Sequence, residues 1–174
     1  MAVLFALMLL SFVLLSGCAT TDSTDDDRTQ IAKASIDLAD EYFDRGMYDE
    51  ALGVYDRALD EVDDHRLLYN KALVLIQMER FDDALAVLEK GAVDFPHVLL
   101  FRTTQAQLYS RQGNTDAAKG IYIEVLGMNP YDVGTRKEFI ALLVEDGDLD
   151  AAHEQALILW NQGYRTKENL GLLQ

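Results

Sequence analysis

The chain has 174 residues, with 30 acidic against 15 basic side chains and a formal net charge of −15. That balance excludes nucleic acid as a partner, since its phosphates would be repelled and no basic stripe is present. It also disfavours lying directly on an anionic lipid surface. A single cysteine excludes an intramolecular disulfide, and the length suits one domain with a full core.

Residues 1–17 carry no acidic or basic side chain, and residues 1–15 form an apolar run broken only by Ser11. The run is too short to span a bilayer as a helix and has the length of a signal-peptide core. It leads into Leu15-Ser16-Gly17-Cys18, which resembles the lipobox of bacterial lipoproteins. The resemblance implies cleavage before Cys18, a diacylglycerol on its thiol and acylation of the new amine. Two or more acyl chains anchor stably where one would not. Ser16 and Gly17 leave room around the scissile bond, although the basic residue usual ahead of such a run is missing. Ala19 stands where lipoproteins retained in the inner membrane carry Asp, so the resemblance favours the outer membrane, facing the periplasm. Residues 19–30 lack apolar periodicity and read as a disordered acidic tether. A flexible segment of this length has a root-mean-square span of roughly 20 Å and an extended limit of about 40 Å.

Beyond the tether the chain repeats itself. Ala51, Ala84, Ala118 and Ala152 are spaced by 33, 34 and 34 residues, and Pro96 and Pro130 are again 34 apart. Five residues before each alanine stands a turn position, filled by Gly46, Glu79, Gly113 and Gly147. Small residues in fixed slots at this period mark an array of helical hairpins that bury one another's apolar faces. The pattern predicts helix pairs at 32–45/48–62, 65–78/81–94, 97–112/115–128 and 131–146/149–162. Asn129-Pro130 reads as an N-cap followed by a proline in the first helical turn.

The fuller pattern is carried by Ala39, Tyr42, Gly46, Tyr48, Ala51, Tyr55 and Ala58 in the first repeat. Ala72, Leu75, Phe81, Ala84, Leu88, Gly91 and Pro96 carry it in the second, and Ala106, Tyr109, Ala118, Tyr122, Val125 and Pro130 in the third. It resembles the tetratricopeptide repeat family over residues 32–166. The resemblance implies an all-α fold, a right-handed α-solenoid of about four tetratricopeptide helix hairpins with a short C-terminal capping helix. The domains are then a signal peptide at 1–17, the lipidated Cys18 with a disordered tether at 18–31, repeats at about 32–64, 65–98, 99–132 and 133–166, and a cap at 167–174. Ile140 and Leu159 replace small residues in the fourth repeat, as terminal repeats often do. Leu170, Leu172 and Leu173 are expected to cover the open end, with Trp160 beneath.

In this family the first helices of successive hairpins line a concave groove that binds peptides. Carried over slot by slot, the lining is Ile36, Asp40, Phe43 and Asp44, then Tyr69, Leu73, Ile76 and Gln77. It continues with Thr103, Gln107, Ser110 and Arg111, and ends with Lys137, Ala141, Val144 and Glu145. Phe43, Tyr69, Leu73 and Ile76 would form an apolar patch flanked by Asp40 and Asp44, suited to a partner segment with apolar residues and at least one Lys or Arg. The slots of the family's carboxylate clamp hold Ile36, Asp40 and Leu73, so a clamp of that kind is not expected.

No metal or other cofactor is expected. Residues 146–150 begin like a calcium loop, but Ala151 and Leu157 stand where the loop needs glycine and a bidentate glutamate. His65, His97 and His153 are not at metal-ligand spacings. No nucleophile–base motif or phosphate-cradling loop occurs, so no enzymatic activity is expected. The sequence therefore reads as a lipid-anchored envelope adaptor that binds a protein or peptide partner in its groove. Pilus or secretin assembly, peptidoglycan enzymes and transporters are the client classes that the resemblance offers. The alternative is a carrier of a small apolar ligand or lipid accessory to a transporter.

Overall fold

The computed structural model describes residues 21–166 and Gly171. The expected signal peptide, Cys18 and the leucines of the expected cap lie outside the described residues. Among the described residues there are eight α-helices and no strand. They are α1 (Thr21–Asp44), α2 (Tyr48–Glu61), α3 (His65–Gln77), α4 (Phe81–Asp94), α5 (Leu100–Arg111), α6 (Thr115–Met128), α7 (Val133–Asp146) and α8 (Leu149–Asn161). The chain divides into two compact units, Met1–Val74 and Leu75–Gln174.

The hairpin turns follow from one backbone requirement. Gly46, Gly113 and Gly147 have φ of 73°, 76° and 81°, and Glu79 adopts the same left-handed conformation at φ 57°. In each turn an amide reaches back to the carbonyl five residues earlier at 2.9 Å: Met47 to Tyr42, Arg80 to Leu75, Asn114 to Tyr109 and Asp148 to Leu143. This bond satisfies a carbonyl left over at the helix end, and only a left-handed residue in the turn allows it.

In the first unit the hairpin of α1 and α2 closes on Ala39 and Ala51, both without exposed surface, with Tyr55 filling the space beside them at 1% exposure. Leu67, Leu68 and Ala72 bury the inner face of α3. In the second unit Ala106, Ala118, Tyr122, Leu126, Phe139, Leu142, Leu143 and Ala152 form one apolar cluster. The rings of Tyr122 and Phe139 lie 5.6 Å apart. Ile140 and Leu159, the bulky departures of the fourth repeat, pack with Ala156 in a separate cluster at the end of the chain.

Three expectations are corrected. The tether expected at 18–31 is helical from Thr21 onward. Its described side chains at 25–30 are exposed, so packing does not hold them in place. Local terms do: Gln30 donates to Asp26 one turn away at 2.8 Å, and Asp25, Asp26 and Asp27 lie toward the positive end of the helix dipole. Helix α7 starts at Val133, not at residue 131, because Asp132 outcompetes Asn129 as the cap. The Asp132 carboxylate accepts from the Thr135 amide at 3.1 Å and the Thr135 hydroxyl at 2.8 Å, whereas the Asn129 side chain accepts from the Tyr131 amide at 3.3 Å. Helix α5 starts at Leu100, three residues beyond the expected start, after a turn that follows Pro96.

Two stability predictions follow from this packing. The Phe101 ring, fully buried, lies 2.2 Å from the place where a Cβ on Gly91 would stand. Gly91→Ala is therefore expected to cost about 1–3 kcal/mol through overpacking, despite alanine's better helix propensity, as read by chemical denaturation. Asp64 precedes α3 and accepts from the Arg66 amide at 2.8 Å and from its guanidinium at 2.6 Å. The Arg66 hydrogen bonds hold its carboxyl below the usual carboxylate range. A depressed folded-state value stabilises above the unfolded value, and the gain is lost as the pH falls through the folded one. Asp64→Asn should lower the melting temperature at neutral pH, and the gap to the parent should close below about pH 4.

Candidate partner-binding site

In the first unit, Asp40, Phe43 and Asp44 come from one stripe of α1, and Tyr69 and Leu73 come from α3. Spacings of three and four place side chains on one helical face. Leu73 is 39% exposed, Tyr69 and Phe43 are half-buried, and Asp40 and Asp44 are exposed. Phe43 is steadied from behind by Tyr48, with ring centroids 5.3 Å apart at an interplanar angle of 58°.

The charge at Asp40 is fixed from the core. Tyr55 in α2 is buried to its ring, and its hydroxyl donates to the Asp40 carboxylate at 3.4 Å. Burial first, and the Asp40 charge second, push the Tyr55 phenol far above its ordinary range, while Asn70 of α3 also reaches the hydroxyl. One buried phenol therefore ties together α1, α2 and α3 at the middle of the stripe. Lys71 pairs with Asp56 at 2.5 Å between α3 and α2, so this cation does not neutralise Asp40 or Asp44.

In the second unit, Ile76 is half-buried, and Gln77, Gln107, Arg111 and Lys137 are exposed. The Arg111 guanidinium lies over the Phe81 ring, 5.6 Å from its centroid. Lys137 has no ion pair among the described residues. Thr103 is corrected: it is only 8% exposed and does not line an open surface. Its hydroxyl donates to the Leu99 carbonyl at 3.2 Å and lies 3.4 Å from the Thr135 hydroxyl. A small polar residue there lets α5 and α7 approach closely, with its hydroxyl satisfied within the contact. Ile36 and Ser110 are half-buried; Ala141, Val144 and Glu145 are exposed.

A feature without a counterpart in the repeat pattern lies elsewhere in the first unit. Tyr42, Asp49, Glu50, Gly53 and Arg57 line an open cleft of about 400 Å³ between α1 and α2. The only sequence signal for it is a glycine four residues before an arginine on one helix. Among the described residues no group of three or more His, Cys, Asp or Glu could hold a metal ion, and no helix is long and apolar enough to cross a membrane.

Tetratricopeptide repeat family models match residues 36–97 and 102–132. The chain belongs to the tetratricopeptide repeat family, whose repeats serve as protein-interaction scaffolds. Among solved structures, a tetratricopeptide repeat protein from Parabacteroides merdae ATCC 43184 superposes with a TM-score of 0.69 at 16% identity, over 80% of this chain and 56% of that one. The chain therefore spans little more than half of that protein. MamA 41-end from Desulfovibrio magneticus RS-1 matches with a TM-score of 0.61 at 18% identity, over 74% of this chain and 73% of that one. The first tetratricopeptide repeat domain of Spaghetti (RPAP3), bound to the HSP90 peptide SRMEEVD, matches with a TM-score of 0.58 at 19% identity, over 68% of this chain and 97% of that one. At these identities the likeness establishes the fold alone. No curated protein matches the chain.

The Tyr55 junction yields a direct test. Tyr55→Phe keeps the ring but removes the hydroxyl's bonds to Asp40 and Asn70, and should cost about 1 kcal/mol in denaturant unfolding. The partner stripe should loosen with it, seen as faster amide exchange around Asp40 than around Ala51.

Proposed function

We propose that this protein is a lipid-anchored adaptor of the bacterial envelope, and that the α1/α3 stripe of its first unit docks a segment of a partner protein. The observation that carries the reading is the stripe itself: a partly exposed apolar strip at Phe43, Tyr69 and Leu73 bordered by two exposed carboxylates, Asp40 and Asp44. Apolar anchors supply affinity, and charges at their edge supply register and steering. The partner segment that fits carries apolar residues at helical or extended spacing with a Lys or Arg beside them.

Membership of a family of interaction scaffolds supports the reading, as does a solved relative of the same fold, Spaghetti, which holds a peptide of HSP90. The anchor rests on the Leu15-Ser16-Gly17-Cys18 sequence and the uncharged apolar run before it. With Ala19 after the cysteine, the proposed site is the periplasmic face of the outer membrane. Exposed Arg111 and Lys137 on first helices of the second unit carry charge of the opposite sign to Asp40 and Asp44, and exposed Gln107 adds a neutral polar contact.

In cells, a photocrosslinker at Leu73 should capture a discrete partner chain. Phe43→Ala with Tyr69→Ala should reduce capture by at least about tenfold, the loss of one well-buried anchor, while far-UV circular dichroism stays unchanged. Asp40→Lys with Asp44→Lys should weaken capture without touching the apolar anchors. Unchanged capture in both double variants would refute this surface as the docking site. Cys18→Ser should move the chain from the membrane to the soluble fraction, and persistent membrane association would refute the anchor.

A further inference from the structure

The cleft of the first unit brings charges of both signs together without an ion pair between them. Most described cations have a carboxylate within reach: Lys33 with Asp37, Arg45 with Glu41, Arg66 with Asp64, Lys71 with Asp56, Arg80 with Asp83 and Lys119 with Asp146. Arg57 forms no ion pair or hydrogen bond among the described residues. Glu61, one turn further along α2, is placed to take it, yet the arginine turns the other way. Its Nη1 lies 3.5 Å from the place where a Cβ on Gly53 would stand, so the side chain runs back over the glycine toward the start of α2. That direction is the natural lean of a helical side chain, and it lays the guanidinium against the backbone at Gly53.

The guanidinium thereby joins Asp49, Glu50 and Tyr42 around a volume of about 400 Å³, within the range of small-molecule sites. Neither carboxylate nor the Tyr42 hydroxyl has a side-chain partner among the described residues. Along the helix axis the Cα atoms of Glu50 and Arg57 are separated by about 10 Å, a distance that the arginine's lean shortens. The cleft therefore presents a fork suited to a carboxylate at one end and two acceptors suited to ammonium at the other, with an aromatic wall.

We propose that this cleft binds a lysine-type ligand, with its carboxylate on the Arg57 guanidinium, its ammonium on Asp49 and Glu50, and its methylene chain against the Tyr42 ring. Free lysine and the C-terminal lysine of a peptide present the same chemistry. The site is independent of the docking stripe, because none of its five residues belongs to that stripe.

The test is an amide NMR titration of the full chain in detergent micelles with L-lysine, N-acetylglycyl-L-lysine and L-lysine amide. L-lysine should shift the Gly53 and Glu50 amides saturably, and L-lysine amide, which lacks the carboxylate, should bind at least about tenfold more weakly. A response to the acetylated dipeptide equal to that of lysine assigns the ligand to a chain end; a response to lysine alone assigns it to the free amino acid. Arg57→Gln and, separately, Glu50→Gln should each lower affinity by at least about tenfold, with partner capture at Leu73 unaffected. Absence of saturable shifts, equal binding of lysine and its amide, or full binding retained by Arg57→Gln would overturn the assignment.

Discussion

Closest approach between helices governs everything else in this molecule. Ala39, Ala51, Ala72, Ala84, Ala106, Ala118 and Ala152 have no exposed surface at all, so at each slot a methyl group is the largest side chain the packing admits. Gly91 goes a step further, since Phe101 occupies the volume that its Cβ would need. Where backbones come this near, the space between them has to be filled from the side, and Tyr55, Tyr122, Leu88 and Leu143 do so at 2% exposure or less. The period of 34 is the record of this constraint, because the small slot and its large neighbour recur together.

A tyrosine used as filler brings its hydroxyl with it, and a buried hydroxyl needs a partner. Tyr55 meets Asp40 and Asn70; Tyr122, one full pair of repeats later, meets Glu138 at 3.5 Å. Burial and the neighbouring carboxylate raise both phenols far above their ordinary range, so both stay neutral donors across the physiological range. The core thus determines where carboxylates stand on the first-helix faces. Asp40, at the edge of the proposed docking stripe, is in this sense placed by how the first hairpin is filled.

The helices, their turns and the buried small slots were legible because each is imposed by backbone geometry or by volume, and both leave periodic marks. Glu79 was legible too, as the fourth member of a turn series otherwise made of glycine, and its left-handed φ of 57° agrees. The N-terminal extension of α1 was not, because it is held by dipole and one-turn polar terms that create no apolar period. Thr103 misled because a threonine can serve equally as an exposed contact or as a thin spacer between helices; only the approach of Thr135 decides. The Tyr42–Arg57 cleft was hidden for a different reason. It depends on the direction one side chain takes over one glycine, and no spacing rule encodes a rotamer.

The helical start of α1 alters how an anchored chain would work. A flexible tether would let the stripe wander and would reward mainly reach. α1 begins at Thr21, and its side chains from 25 to 30 are exposed ahead of Ala32, its first fully buried described residue, so about 9 Å of exposed helix stands ahead of the packed unit. If Cys18 is acylated, only two residues separate it from the start of this helix, so the stripe would be held within a defined range of heights above the headgroups. A stiff spacer raises the effective concentration for a partner whose docking segment lies at the matching height and lowers it for others. Selectivity can then come from distance as well as from contact. This suits a shallow stripe of three apolar side chains and two carboxylates, which by itself discriminates weakly among basic amphipathic segments.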